Sequence, residues 1–410
     1  MLHEPVQSTA HPAGVAVPET SSFSLPTPRK RLDSVDLLRG LVMVVMALDH
    51  VRDFFTSSHF DPTDLTQTTI PLFFTRWITH FCAPVFVFLA GTGAFLSRTR
   101  GKSARDLSQF LLTRGLWLIV LEFTVVRFAW TFNVDYSFVF GQVIWAIGIS
   151  MVVLAGLVRL PVKAVAAFGI AMIALHNLLD PLPSSAFGSF DWLWNILHTG
   201  AVIQASPQFT FLPFYPLVPW IGVMAAGYAF GSLLRREQPD RKRVLLRLGL
   251  SLTAAFIVIR AINLYGDPVP WSGQETAALT VLSFLNCLKY PPSLLYLLMT
   301  LGPAITLLAV LEHRSTGLLS RITVFGRVPM FYYILHIALV HGIAVALALA
   351  RGEDTGWLFA SLPFGYTPDY GYGLVTVYCI WIGVVVALYP LCAWFAGVKR
   401  RRKDWWLSYL

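Results

Sequence analysis

Residues 31–55 read RLDSVDLLRGLVMVVMALDHVRDFF. At 1.5 Å per residue such a run crosses a hydrocarbon core of about 30 Å. Yet it carries Asp36, Arg39, Asp49, His50, Arg52 and Asp53. At 100° per residue, Asp36, Arg39, Met43, Met46, His50 and Asp53 fall on one face about 100° wide. Leu41, Val44, Val45 and Leu48 lie elsewhere on the helix. Ionisable groups facing lipid are costly, so this helix has to line a protein interior or a water-filled cavity.

The rest of the chain supplies the surroundings. Its 410 residues are 56% hydrophobic and 13% charged, with a mean hydropathy of +0.63. A soluble domain carries about 25% charged residues. The composition excludes a soluble globule, a disulfide scaffold and a disordered protein. Residues 1–31 are polar and end in Arg29-Lys30-Arg31, which predicts a disordered cytoplasmic tail rather than a signal peptide. Ten apolar segments follow, near 35–56, 71–97, 107–131, 137–158, 161–180, 209–234, 245–265, 291–312, 322–350 and 372–398. The expected fold is an all-α polytopic membrane protein with about ten transmembrane helices. A transmembrane domain over 32–403 is followed by a short tail over 404–410.

The loops carry the sidedness. Alternate loops and the tails hold 21 basic residues, whereas the opposite loops hold only Lys289 and Arg351. This asymmetry predicts both termini in the cytoplasm. The outer loops carry Trp192, Trp194, Trp271 and Trp357, which suit the membrane–water boundary, and a short interfacial helix is expected around Asp191 to His198. The four cysteines, Cys82, Cys287, Cys379 and Cys392, are far apart, and no Cys/His spacing suggests a metal site. The net charge of +9 reflects the loops and not a nucleic-acid partner. No Walker loop, dinucleotide fingerprint or GxSxG is present.

The first span predicts base chemistry. A neutral imidazole at His50 can take a proton near neutral pH, and Asp53, one turn on, or the adjacent Asp49 is expected to hold its ring. His59 in the following loop is a second candidate base. Arg76 and His80, four residues apart in the second span, are expected to line a pocket. Glu122 is expected to pair with an arginine. Arg260 and Asn263, and His336 and His341, are further candidates, but five residues place the two histidines about 140° apart and argue against a shared site. Arg327, near the cytoplasmic end of its span, has the chemistry to meet a phosphate.

The run Arg31-Leu32-Asp33-Ser34-Val35-Asp36-Leu37-Leu38-Arg39-Gly40-Leu41, followed by Met43, Met46 and Asp49-His50, resembles the opening of the heparan-α-glucosaminide N-acetyltransferase-like family. Pro84–Gly91, Pro216–Met224, Tyr290–Leu294 and Phe325–Phe331 resemble its later signatures, so that the likeness covers roughly 30–403. The resemblance implies a bacterial inner-membrane enzyme. It would move an acetyl group from cytoplasmic acetyl-CoA, as co-substrate, to an amine or hydroxyl of an extracytoplasmic sugar. The related acyltransferase-3-like enzymes carry an Arg or Lys, ten residues, then His in their first span, a spacing matched by Arg39 and His50. In the eukaryotic N-acetyltransferase the matching position is Asn and the functional histidine lies in the next loop. The resemblance therefore implies His50 first and His59 second. Arg39, Arg327 and Arg114 are expected to meet the phosphates of CoA. Ten spans with buried Asp, Arg and His also fit a proton-coupled transporter or flippase, although no inverted repeat is readable.

Overall fold

In the computed structural model, α1 (Asp33–Phe55) forms over the quoted stretch, with Asp33 and Asp36 in its first turn and Arg52 in its last. That charge order complements the helix dipole. The structure describes residues 1, 32–99, 101–312, 317–361, 370–402 and 404–408. The expected tail at 2–31, with Arg29, Lys30 and Arg31, lies outside them, as do Arg100, Arg314 and Lys403.

Helix starts follow local chemistry. The Thr69 hydroxyl accepts from the Leu72 amide and opens α2 (Ile70–Thr79), with Pro71 in the first turn. A turn at His80 and Phe81 leads into α3 (Cys82–Arg98). A reciprocal Ser103–Asp106 capping box opens α4 (Ala104–Leu121). This helix continues through a π-helical turn at Glu122–Val126 into α5 (Arg127–Thr131). Next come α6 (Val143–Leu157) and α7 (Val162–Leu175). The helix expected around 191–198 is present as α8 (Asp191–Trp194) and the turn Asn195–Thr199. The chain proceeds through α9 (Leu217–Phe230), α10 (Asp240–Ile262), α11 (Ala277–Leu285) and α12 (Leu294–Val310). It ends with α13 (Leu318–Arg327), α14 (Pro329–Ala350) and α15 (Leu374–Arg401).

Among the described residues, seven helical stretches are long and apolar enough to cross a membrane. α6 and α12 are apolar but shorter, and α1 is long but charged. Mid-helix residues such as Leu116, Val120, Leu250, Val258, Val375 and Val386 are more than half exposed. Water would penalise such faces and lipid accepts them, so the chain is a mostly helical integral membrane protein.

Three expected segments differ from what is observed. The segment at 137–158 begins as a strand, β1 (Phe138–Phe140), and its helix starts only at Val143. That at 209–234 begins as β3 (Phe209–Leu212). β3 pairs in parallel with β1 and antiparallel with β2 (Ile203–Ser206), so the fold is not purely α-helical. The segment at 322–350 is broken between α13 and α14, where Pro329 occupies the first helical position and its missing N–H costs no helix bond.

The charged helix α1 is surrounded by α2, α3, α12, α13, α14 and α15. This is the interior position that its polar face requires. The crossing of α1 with α13 is tight. A Cβ at Gly326 would overlap the Asp36 carbonyl oxygen, and one at Gly40 would overlap the Ile322 carbonyl oxygen.

Candidate active site

A cavity of about 230 Å³ opens at the C-terminal end of α1. Asp49, His50 and Asp53 of α1 line it, with Arg76 of α2 and Trp130 of α5. Its remaining wall comes from Phe140 of β1, Gln142, Leu212 of β3, and the segments Phe214–Tyr215 and Lys289–Tyr290. The small sheet explains part of this convergence. Parallel pairing of Val139 with Phe211 brings the segments before α6 and α9 together over the end of α1.

His50 is held by a second histidine. Its Nδ1 lies 2.7 Å from Nε2 of His336, and the two rings stack with centroids 4.9 Å apart and planes 11° apart. Nδ1 of His336 lies 2.9 Å from the Tyr332 carbonyl oxygen. A carbonyl can only accept, so the hydrogen-bond network puts a proton on Nδ1 of His336. In a neutral His336, Nε2 is then an acceptor, and Nδ1 of His50 is the donor to it. A neutral His50 therefore keeps its lone pair on Nε2. His336 is fully buried whereas His50 is partly exposed and lines the cavity. The indole of Trp130 packs edge-on against the His50 ring at 5.0 Å. The expected ring holder was Asp53 or Asp49. The partner is instead a histidine 286 residues away.

Both carboxylates serve arginines. Arg76 donates to the two oxygens of Asp49 at 2.8 and 2.6 Å. Arg52 reaches Asp49 at 3.0 Å and Asp53 at 2.5 Å. The four side chains form an alternating, largely buried array that fixes the end of α1 against α2. Opposed charges at hydrogen-bonding distance are what makes such burial tolerable.

The other expected site residues are dispersed. Arg76 lines the cavity as expected, but His80 is buried beside the Tyr296 ring, 5.4 Å away, and is not part of the lining. His59 lies in the loop after α1, with Nε2 3.0 Å from the Tyr370 carbonyl, and is not part of the lining either. Arg39 donates to the Gly326 carbonyl at 3.2 Å and pairs with Asp36 at 3.3 Å. Arg327, the next residue along α13, pairs with Asp33 at 3.4 Å. The α1–α13 crossing thus brings these two arginines to one place, at the opposite end of α1 from the cavity. Arg114 sits on α4 against the Phe110 ring, and α4 packs on α6 and α3. Glu122 does not meet an arginine. Its carboxylate accepts from the Gln142 and Trp145 amides at 3.3 and 2.9 Å, capping the positive end of the α6 dipole. His341 stacks on Phe132 at 3.9 Å, separate from His336 as their spacing predicts.

The segment that carries Lys289 and Tyr290 is anchored from below. Arg260 donates to the carbonyls of Phe284, Val269, Ser283 and Asn286. Asp267 accepts from the Leu288 amide at 2.9 Å and the Ser293 hydroxyl at 2.6 Å. Burial raises the Asp267 carboxyl above the usual carboxylate range. Burial likewise pushes up the Tyr215 phenol, so that it presents a neutral hydroxyl. On the α6 side, the Ser137 hydroxyl and amide hold the exposed Asp135 carboxyl below its ordinary range. Lys289, Tyr290, Tyr215, Trp130 and Gln142 are site residues that sequence patterns do not single out, because they come from loops and from the ends of different elements.

A many-helix membrane protein with a histidine pair at the end of a buried, charged helix is built for proton-transfer chemistry at the membrane boundary. Its family is given by comparison. A family model described as heparan-alpha-glucosaminide N-acetyltransferase, catalytic, matches residues 31–264. The chain belongs to that family of membrane acetyltransferases. Asp49, His50, Asp53 and Arg76 lie within the match, whereas Lys289, Arg327 and His336 lie beyond it. No curated protein matches the chain.

Proposed function

We propose that the protein moves an acetyl group from cytoplasmic acetyl-CoA to an amine or hydroxyl of a sugar on the far side of the membrane. Ten spans are assigned: the seven long apolar helical stretches, α1, α6 and α12. An even number puts both termini on one side, and the basic loops make that side the cytoplasm of a bacterial cell, bounded by its inner membrane. The cavity then belongs to the outer end of the bundle, and Arg39 and Arg327 to the inner end. Arg327 is well exposed and its link to Asp33 is long, at 3.4 Å. It is therefore the arginine freest to exchange that carboxylate for a phosphate of CoA. Arg39 stands behind it, and Arg114 enters only if the nucleotide end reaches α4. His50 lies eleven residues beyond Arg39, a rise of about 16 Å, which a pantetheine arm can cover.

The observation that carries this reading is the hydrogen bond of His50 Nδ1 to His336 Nε2. It leaves His50 Nε2 as the base. In the transfer, the acceptor heteroatom bonds to the acetyl carbon, the carbon–sulfur bond breaks, and the acceptor proton passes to His50 Nε2. The imidazolium then returns that proton to the departing thiolate. His336 accepts the Nδ1–H bond throughout and keeps the ring oriented. Asp49 and Asp53 act through charge, and His59 and His80 are left to structure.

The test is incubation of reconstituted protein with labelled acetyl-CoA and a panel of cell-envelope sugars. Label is expected in a sugar with native protein and not with His50→Ala of equal thermal stability. Equal transfer by both forms, or no stabilisation of the native protein by CoA, contradicts the reading.

A further inference from the structure

Lys289 is one of two basic residues in the outer loops, and the other, Arg351, pairs with Glu353 at 2.8 Å. Lys289 has no such neighbour. It is 8% exposed and lines the cavity, and among the described residues no carboxylate lies within ion-pair distance of its ammonium. Its contact there is the face of Tyr290, with Nζ 5.0 Å from the ring centre. Asp49 and Asp53, the two acids of the cavity, are taken by Arg52 and Arg76. Counted as ionised, that group carries two negative charges against the three positive charges of Arg52, Arg76 and Lys289. An ammonium so nearly buried without a counter-charge is expensive, and an incoming anion relieves that cost. The same excess charge opposes a protonated amine. Around Lys289 the walls are aromatic: Trp130, Phe214, Tyr215 and Tyr290. The Tyr215 and Tyr290 rings meet edge to face at 5.2 Å. Aromatic faces with polar rims suit a sugar ring.

We infer that Lys289 is an anion subsite of this cavity, and that the acceptor seated there is a sugar bearing an acidic group, a carboxylate or a phosphate. With its acid on Lys289, the ring lies along the tyrosines and offers a hydroxyl or a deprotonated amine toward His50. The anchoring of the segment by Arg260 and Asp267 fixes the ammonium in place. A sugar acid is thus preferred over the neutral sugar, and the neutral sugar over a sugar ammonium such as glucosamine. This deepens the acceptor reading above and rests on it, but its test requires no acetyl transfer.

The test is calorimetric titration of the full-length protein in lipid nanodiscs, without acetyl-CoA, using glucuronate, glucose and glucosamine, and separately CoA. Native protein is expected to bind glucuronate at least about tenfold more tightly than glucose. Lys289→Met is expected to erase that difference and Lys289→Arg to keep it, with CoA affinity unchanged in both. Equal affinity of native protein for glucuronate and glucose overturns the inference even if no variant folds. So does a preference that survives Lys289→Met. A tenfold loss of CoA binding in Lys289→Met, with glucuronate binding intact, assigns the cation to the donor and also overturns it. If glucuronate is preferred but no sugar is acetylated, the transfer reading fails and the subsite stands.

Discussion

His50 and His336 meet at 2.7 Å between Nδ1 and Nε2, joining α1 to α14 across 286 residues of sequence. The bond to the Tyr332 carbonyl fixes the direction of the chain of donors. His336 is therefore a positioning residue, and its substitutions should grade by what they offer His50. His336→Gln, whose amide oxygen can accept, should retain part of the transfer activity. His336→Phe leaves the His50 N–H without an acceptor, at about 1–3 kcal/mol. It should lower kcat more than KM. Steady-state kinetics of both variants decide this, and equal kcat for the two contradicts the positioning role.

Asp49 and Arg76 form a two-bond pair inside the bundle, with 12% and 16% of their side chains exposed. Removing one partner strands the other. Arg76→Met or Asp49→Asn is expected to cost about 3–5 kcal/mol. The double variant should cost less than the sum of the two, because neither charge is left alone. Denaturant unfolding in a fixed detergent measures this, and strict additivity would remove the coupling.

Gly326 and Gly40 let α13 lie directly on α1. Gly326→Ala puts a methyl group against backbone and is expected to cost about 1–3 kcal/mol, with a lowered Tm. Gly342 of α14 has open space where a Cβ would go, so Gly342→Ala should be neutral or slightly stabilising, by up to about 1 kcal/mol. Thermal unfolding of the pair separates a packing effect from a general intolerance of alanine.

Asp267 ties the Lys289 segment to the start of α12 through Leu288 and Ser293. Asp267→Ala is expected to speed hydrogen exchange at the Leu288 amide by about tenfold or more while the α14 amides stay protected. Exchange mass spectrometry reads both. Unchanged exchange at Leu288 means that Arg260 alone holds the segment.

The polar face of α1 was legible because Asp36, His50 and Asp53 recur at helical spacing, and periodicity within one helix is what a sequence displays. The same arithmetic separated His336 from His341. The partnership of His336 with His50 was not legible, since no local spacing encodes a contact between α1 and α14. The strands were missed for a related reason. Phe138–Phe140 and Phe209–Leu212 are short apolar runs that a helix could equally absorb, and their parallel pairing is non-local. The break before α14 had a local signal in Pro329. Lys289 was visible only as an isolated charge, and its significance depends on which residues fold around it.

The central claim is that His50 Nε2 takes the acceptor proton. The most direct measurement is acetyl transfer by His50→Gly, assayed with and without added imidazole. A loss of about 10²–10⁴-fold is predicted, with partial recovery as imidazole is titrated in. A His50→Gly protein that transfers acetyl at the native rate, with native stability, contradicts it.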